Sequence, residues 1–554
     1  MSRLKLEFNA GTLLLRDESG AGILPGVFEA LAVQDDRTGG AWRANGVREA
    51  QRPDHLFYGS QSDAGAPAGA ADRRRALSLL LSDPRFPWSA AEARWRGRVH
   101  SERRAELSFA PPALSALDLM GDNPSPFYVT NDVDLAAAGP GVSWRSSDPA
   151  TLDVDGTVCP ACCEGDLPRT VELTGTFPDG TERTFRFRVM PEKPRLPAIF
   201  LHVGAPVRKN RRTDFTAARI AAGGGAADIL VGSASTGGGL RHRGNTSYVR
   251  GARRSLSLEF DRPVAWAGAP DPATHVLLLS GYADATRLRN ALSFDAFAAM
   301  HPDAPRGAVP VSWTEVFVNG EYAGVWETTP RLKDVVSVWA APIYKVRSPG
   351  GLWSRVSADM LDRRDDIEPG EPDAADAYDP FLALARFAVE SDDADFAAHA
   401  GDWFDLDDLV DMMLLLDFTG NMDGRITNQY VVRRRSDGRW LALPWDYDKT
   451  FLDDKSRDMS LSNALYDRCI RRIPGFKKRL SARWRALRDG PLSDEALDRW
   501  IDERSEHLAP FMDEDFRIVP PADFGGTYQQ AVESLRSLVH FRACQLDDRM
   551  AGDR

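Results

Sequence analysis

Asp423, Asn428, Asp446 and Asp448 are the residues of this chain best suited to chemistry. They stand in Asn421-Met-Asp423-Gly-Arg-Ile-Thr-Asn428 and in Pro444-Trp445-Asp446-Tyr447-Asp448. Carboxylates gathered in a small volume repel, and at neutral pH one takes up a proton unless a cation offsets the charge. A hard divalent cation with oxygen ligands, Mg²⁺ or Mn²⁺, is the economical partner. Such a set suits phosphoryl transfer. One Asp accepts the proton of an attacking hydroxyl, while an Asn five residues later and a second Asp hold metal on nucleotide phosphates.

These side chains meet only if the chain between them turns back. Residues 429–434 and 439–443 read as two strands about the Asp437–Gly438 turn. That hairpin returns Asp446 to the side of Asn428, although 18 positions separate them. Asp423 and Asn428 are expected on a loop that begins where a helix over 404–418 runs out. Leu406, Leu409, Val410, Met413 and Leu414 give that helix one apolar face.

Upstream, residues 314–327 form a hairpin about Asn319–Gly320. Residues 198–203, 255–260, 276–279 and 343–346 read as strands, and 286–300 as a helix. Helical patterns recur at 476–487, at 493–508 with Ser493 or Asp494 as N-cap, and at 528–550. Residues 197–346 are therefore sheet-rich and 376–554 helix-rich. The expectation is a two-lobed α+β domain with a ligand in the cleft between lobes.

Several motifs then occur in a fixed order: Arg243-Gly244-Asn245-Thr-Ser, Leu288-Arg289-Asn290, and Asn319-Gly320-Glu321-Tyr322-Ala-Gly324-Val-Trp326. Asn421-Met-Asp423, Asn428 and Pro444-Trp445-Asp446-Tyr447-Asp448 follow them. Together they resemble the spore coat protein H (CotH) kinase family, an atypical protein-kinase-like family, over about residues 197–554. The resemblance implies ATP-dependent phosphorylation of Ser or Thr in a protein or peptide, with Mg²⁺ or Mn²⁺. It makes Asp423 the catalytic base and Asn428 and Asp446 metal ligands, with Asp448 a further candidate ligand.

Candidates for the nucleotide phosphates are Arg243, Arg253, Arg254 and Lys345. Arg253 and Arg254 stand where the family usually carries a Lys pair, Pro330 where it commonly has a Glu, and Leu452 where a Gly usually follows the Phe. Arg keeps the charge of Lys but changes reach and donor geometry. Two other readings therefore stay open. One is a pseudokinase that serves as a binding scaffold. The other is a different transferase on the same site, moving a nucleotidyl group or phosphorylating a small molecule.

The 554 residues divide into three parts. Residues 1–112 are expected to be a β-rich accessory region. Residues 123–191 carry short alternating runs, and Val142-Ser-Trp144-Arg-Ser-Ser-Asp148-Pro149 with Val154-Asp155-Gly156-Thr-Val158 resembles a bacterial immunoglobulin-like β-sandwich. The segment Pro-Glu-Lys-Pro-Arg-Leu-Pro at 191–197 is a linker. The fold class is thus multidomain, a β-sandwich-type N-terminal region followed by the two-lobed kinase-like domain.

Composition narrows the function further. Lys and Arg total 69 against 81 Asp and Glu, a net charge of −12, which argues against a nonspecific nucleic-acid binder. No apolar run approaches the roughly 20 residues that span a bilayer, and the start of the chain lacks a signal-peptide layout. The expectation is a cytoplasmic protein with no membrane span, with export by another route left open. Five cysteines are too few for a disulfide framework. Cys159 and Cys162 have zinc-like spacing but no second pair nearby, so loop thiols are expected there.

Overall fold

In this computed structural model the described residues are 114–244, 248–249, 253–264, 272–300, 309–346, 367–370, 377–452, 463–521 and 524–551, with the backbone of seven strands in 3–109. Asn245 of the Arg-Gly-Asn motif lies outside them. The chain forms two compact units, one of residues 1–193, 202–208 and 319–321, the other of 194–201, 209–318 and 322–554.

The first unit opens with β1 (Arg3–Asn9), β2 (Thr12–Arg16), β3 (Ala30–Gln34), β4 (Ala41–Asn45), β5 (His55–Phe57), β6 (Ala93–Trp95) and β7 (Arg104–Phe109). Five of these make a sheet in the order β5-β2-β1-β7-β6, and β3 pairs with β4. Next come β8 (Ser143–Ser146), β9 (Arg169–Thr176) and β10 (Glu182–Val189), a three-stranded sheet with β9 in the middle. The β9–β10 turn closes at Gly180, whose φ of 79° suits a residue without Cβ. Val171 and Leu173 alternate inward from β9 and bury against Phe187, Val189 and Val129.

A sandwich needs a second sheet. Among the described residues of 123–191, the short runs near Val129 and Leu152 make single bridges, Val129 to Val189 and Leu152 to Val158, instead of ladders. Cys159 and Cys162 also depart from expectation. They are joined by a disulfide with Cα atoms 5.4 Å apart, while Cys163 stays free. The thiolates that zinc-like spacing offers are used by each other.

The second unit is built on an eight-stranded sheet. Its strands are β11 (Ala198–Val203), β12 (Phe215–Ile220), β13 (Asp228–Gly232), β14 (Gly239–His242), β15 (Leu256–Val264), β16 (Ala273–Leu279), β17 (Ser312–Val318) and β18 (Glu321–Pro330). The order is β13-β12-β11-β17-β18-β16-β15-β14. Thr213 and Leu240 exchange two hydrogen bonds of 2.8 Å, which ties β14, at one end of the sheet, to the residues that lead into β12 near the other. Strands β12 and β13 fall in a stretch whose Gly and Ala content reads as turn.

A second sheet has the order β20-β19-β21-β22, from β19 (Ala340–Val346), β20 (Ile367–Pro369), β21 (Gln429–Arg434) and β22 (Trp440–Pro444). Residues 340–346, expected with the sheet-rich half, pair with the 429–444 hairpin instead. The division at 346/376 therefore cuts through a sheet.

The helices are α1 (Arg289–Met300), α2 (Leu332–Val336), α3 (Asp379–Glu390), α4 (Asp393–Trp403), α5 (Leu406–Thr419), α6 (Met422–Ile426), α7 (Ala464–Arg472), α8 (Phe476–Arg488), α9 (Asp494–Ile518) and α10 (Tyr528–Ala551). Helix α5 is central and touches α1, α8, α10 and β22. The Asp405 carboxylate caps its start by accepting the Asp407 and Asp408 N–H groups at 3.1 Å. Gly420, at φ 64°, ends it. Between these caps Leu409, Val410, Leu414 and Phe418 are all at most 2% exposed.

Ser493 caps α9 by accepting the Ala496 N–H at 3.3 Å, as expected. The helix continues past the expected end at 508, through Pro510 to Ile518. Among the described residues no helix is long and apolar enough to cross a membrane.

Candidate functional site

The site grows from the β21–β22 hairpin. Gln429 pairs with Pro444 and Tyr430 with Leu443, so Asn428 and the Trp445–Asp446 step lie just beyond the open end of the ladder. Both candidate ligands there are left-handed, Asn428 at φ 46° and Asp446 at φ 67°. Asn and Asp enter this region more readily than other side-chain-bearing residues. Each still costs on the order of 1 kcal/mol, and such residues persist where the surroundings over-determine them.

The surroundings do so here. The Tyr447 N–H donates to Asn290 Oδ1 at 2.8 Å, and the Thr450 hydroxyl donates to the Tyr447 carbonyl at 2.8 Å. The Gln429 side-chain amide donates to the Gly424 carbonyl and ties the start of β21 to α6.

Asp423 is exposed and sits on α6, a short helix where a loop is expected. Asn421 makes the difference: its Oδ1 accepts the Gly424 N–H at 2.8 Å and caps the turn. Arg425 of the same turn is ion-paired with Asp417 of α5, and Arg549 of α10 reaches the other oxygen of Asp417 at 3.0 Å. Arg542 of α10 donates to the Asp417 carbonyl at 2.6 Å. The turn that presents Asp423 is thus fastened to two long helices.

Asp446 is exposed and Asp448 half-buried. Burial, and then the Asp446 charge, push the Asp448 carboxyl well above its usual value. Cations gather opposite. The Arg243 guanidinium lies 5.8 Å and the Lys345 ammonium 5.9 Å from the centroid of the Trp445 ring. Burial works against the Arg243 charge, and Asp446 is the first group that supports it. The structure therefore brings Arg243, Lys345, Asp446 and Asp448 into one neighbourhood, with Asn428 placed at its edge by the hairpin register.

Oxygen donors from Asn428, Asp446 and Asp448 fit Mg²⁺ or Mn²⁺. Among the described residues no group of three His, Cys, Asp or Glu side chains converges as a cage. Mg²⁺ in phosphotransferases is held by one or two carboxylates plus substrate phosphates and water, so a sparse protein donor set is the appropriate one.

Arg253 and Arg254 make other contacts. Arg253 is 7% exposed, donates to Asp515 Oδ1 at 2.5 Å and to the Ala323 carbonyl at 2.8 Å, and closes on the Ser280 carbonyl at 2.9 and 3.2 Å. Its donors are committed to the protein, which removes the physical basis for a phosphate contact. Arg254 donates to the Tyr248 carbonyl at 3.0 Å and lies 4.7 Å from the centroid of that ring. Pro330 is the last residue of β18 and pairs with Val276.

Sequence reasoning misses Asp515, Glu327 and the role of Asn290. Asn290 Nδ2 donates to Glu327 Oε2 at 2.8 Å. Burial, followed by the Asp284 charge, pushes the Glu327 carboxyl up to about 8. The Leu288-Arg289-Asn290 motif is the one signal that points to Asn290; Glu327, between Trp326 and Thr328 of β18, carries none.

The inner spore coat protein H of Bacillus subtilis (strain 168) is 24% identical over 225 residues, 38% of this chain and 58% of that protein. The chain thus matches little more than half the length of that relative. The family described as CotH kinase protein matches residues 240–546, more than half of the 554, and includes every motif from Arg243 to Asp448. The chain belongs to the CotH kinase family.

Proposed function

We propose that this kinase-like protein is an ATP- and divalent-metal-dependent phosphotransferase acting on Ser or Thr hydroxyls of a protein or peptide. The observation that carries the reading is the hairpin end: two left-handed oxygen ligands, Asn428 and Asp446, stand beyond paired strands, beside Arg243 and Lys345 on Trp445.

In this reading Asn428 and Asp446, with Asp448 beside them, hold Mg²⁺ or Mn²⁺. When bound, the ion neutralises charge on the nucleotide phosphates. Arg243 and Lys345 supply donors to the phosphate oxygens. Asp423 takes the proton of the attacking hydroxyl. The hydroxyl oxygen bonds to the γ-phosphorus as the bond from that phosphorus to the departing ADP oxygen breaks. Positioning and charge neutralisation carry most of the rate.

The test is transfer from ATP labelled at the γ- or the α-phosphate, with Mg²⁺ or Mn²⁺. Label from the γ position alone is expected on protein. Retained α label points to nucleotidyl transfer and sinks the reading. A second reading, a scaffold without transfer, draws on Arg253, which Asp515 occupies at a position where the resemblance implies Lys. Absence of any thermal stabilisation by millimolar ATP with Mg²⁺ is the result that favours it.

A further inference from the structure

Asn290, in the first turn of α1, stands between β18 and the Asp446 segment. Its Oδ1 accepts the Tyr447 N–H and its Nδ2 donates to Glu327 Oε2, both at 2.8 Å. Asn290 is 3% exposed, and Glu327 and Tyr447 are at 0%. The two partners fix which way the amide faces, because a main-chain N–H needs the oxygen and a carboxyl oxygen accepts from the nitrogen. Asp lacks the donor, Leu lacks both groups, and Gln carries the amide one methylene too far.

Tyr447 directly follows Asp446, whose φ of 67° needs outside support. On the near side that support is the Gln429–Pro444 pair. On the far side it is Asn290. With Tyr447 N–H held, the main chain of Asp446 is restrained, and with it the direction in which its side chain leaves the backbone. Thr450 adds a second hold, on the Tyr447 carbonyl at 2.8 Å.

We propose that Asn290, oriented by Glu327, is a positioning residue that sets the Asp446 carboxylate for divalent-cation binding. The inference rests on the reading of Asp446 as a metal ligand. Outer partners of metal ligands typically contribute about 10–100-fold in metal affinity.

The experiment is a Mn²⁺ titration of the full chain with a non-hydrolysable ATP analogue, followed by electron paramagnetic resonance of the free ion. Melting curves on the same samples report the folded fraction. Asn290→Leu is expected to raise the Mn²⁺ Kd by about tenfold or more. Glu327→Leu is expected to move it in the same direction, and Glu327→Gln, whose amide oxygen still accepts from Asn290, stays within about twofold. A role in stability alone lowers the number of sites per molecule and leaves the Kd of the folded fraction where it was.

A folded Asn290→Leu protein with wild-type Kd overturns the inference and leaves the phosphotransferase reading standing. Should that variant not fold, Glu327→Leu decides in the same way. A wild-type chain that binds no Mn²⁺ with nucleotide overturns the metal reading of Asp446, and this inference with it.

Discussion

Arg253 and Asp515, 262 positions apart, form a buried ion pair at 2.5 Å. Asp515 takes in more than Arg253. Its carboxylate accepts from Arg287 Nη2 at 2.8 Å and from the Val325 N–H at 2.9 Å. Burial pushes this carboxyl up, yet Arg253 and then Arg287 hold it below its ordinary value. One carboxylate on α9 thereby joins β18, the turn before α1 and the segment that leads into β15. Gly324, at φ 89°, must lack a side chain, because a Cβ there collides with the Asp515 carboxylate and the Arg253 guanidinium.

Asp515→Asn leaves two guanidiniums buried against a neutral amide. Breaking a buried pair in this way costs about 3–5 kcal/mol. Urea unfolding at pH 7 should show a loss of that order, and a change under about 1 kcal/mol would contradict the clamp. The sign with pH follows from the lowered carboxyl. Its contribution is full above the unfolded-state value and is lost as pH falls through the folded one.

Glu327 gives the opposite dependence. Its carboxyl rises from the usual 4.5 to about 8, so the folded chain keeps a proton that the unfolded chain gives up. Its contribution is fully present below about 4.5 and is lost as pH rises through about 8. Glu327→Gln cannot lose that proton. Its unfolding free energy relative to wild type should improve between pH 5 and pH 8.5, by a few kcal/mol at most on the order-of-magnitude scale of about 1.4 per unit. A constant difference across that window would contradict a neutral Glu327.

Cysteine chemistry supplies a direct count. Cys159 and Cys162 form a disulfide and Cys163, Cys469 and Cys544 are free. Denatured, unreduced protein purified without thiols should titrate three sulfhydryls, and five after reduction. Five before reduction would return the pair to the thiol state expected from the sequence.

Periodicity and turn chemistry make α5 and the β21–β22 hairpin legible, because apolar spacing and an Asp-Gly turn act locally. That Asn428 and Asp446 both stand just beyond the open end of the ladder is legible for the same reason: a hairpin fixes where its ends go. Asp515 is not legible. Pro510 reads as a helix stop, and the partners of Asp515 lie hundreds of positions away. Nor are the left-handed backbones of Asn428 and Asp446, since Asn and Asp take many conformations in loops and the choice is made by Asn290 and Gln429 from outside. Arg253 illustrates the limit of motif reasoning. A cation next to a strand satisfies the pattern, but only packing shows that a protein carboxylate has already claimed it.

The cations beside Trp445 and the buried Arg253 should separate cleanly in kinetics. Arg243→Gln and Lys345→Met remove donors beside Asp446, and each should raise KM for ATP by about tenfold or more, the scale of one charged hydrogen bond. Arg253→Gln should instead lower the unfolding free energy and leave the KM for ATP of the folded fraction within about threefold. An inverted pattern, with Arg253 governing KM, would place the phosphates at Arg253 and not at Trp445.

The most direct measurement is autophosphorylation with ATP and Mn²⁺ or Mg²⁺, read by mass spectrometry on wild type, Asp423→Ala and Asp446→Ala side by side. Asp423 is exposed and Asp446 lies at a strand end, so both variants should melt within a few degrees of wild type. The account predicts phosphate on Ser or Thr of the wild type, and a loss of about 100-fold or more in each variant. Undiminished transfer by folded Asp423→Ala would contradict its role as base, and no transfer by the wild type with either metal would contradict the phosphotransferase reading itself.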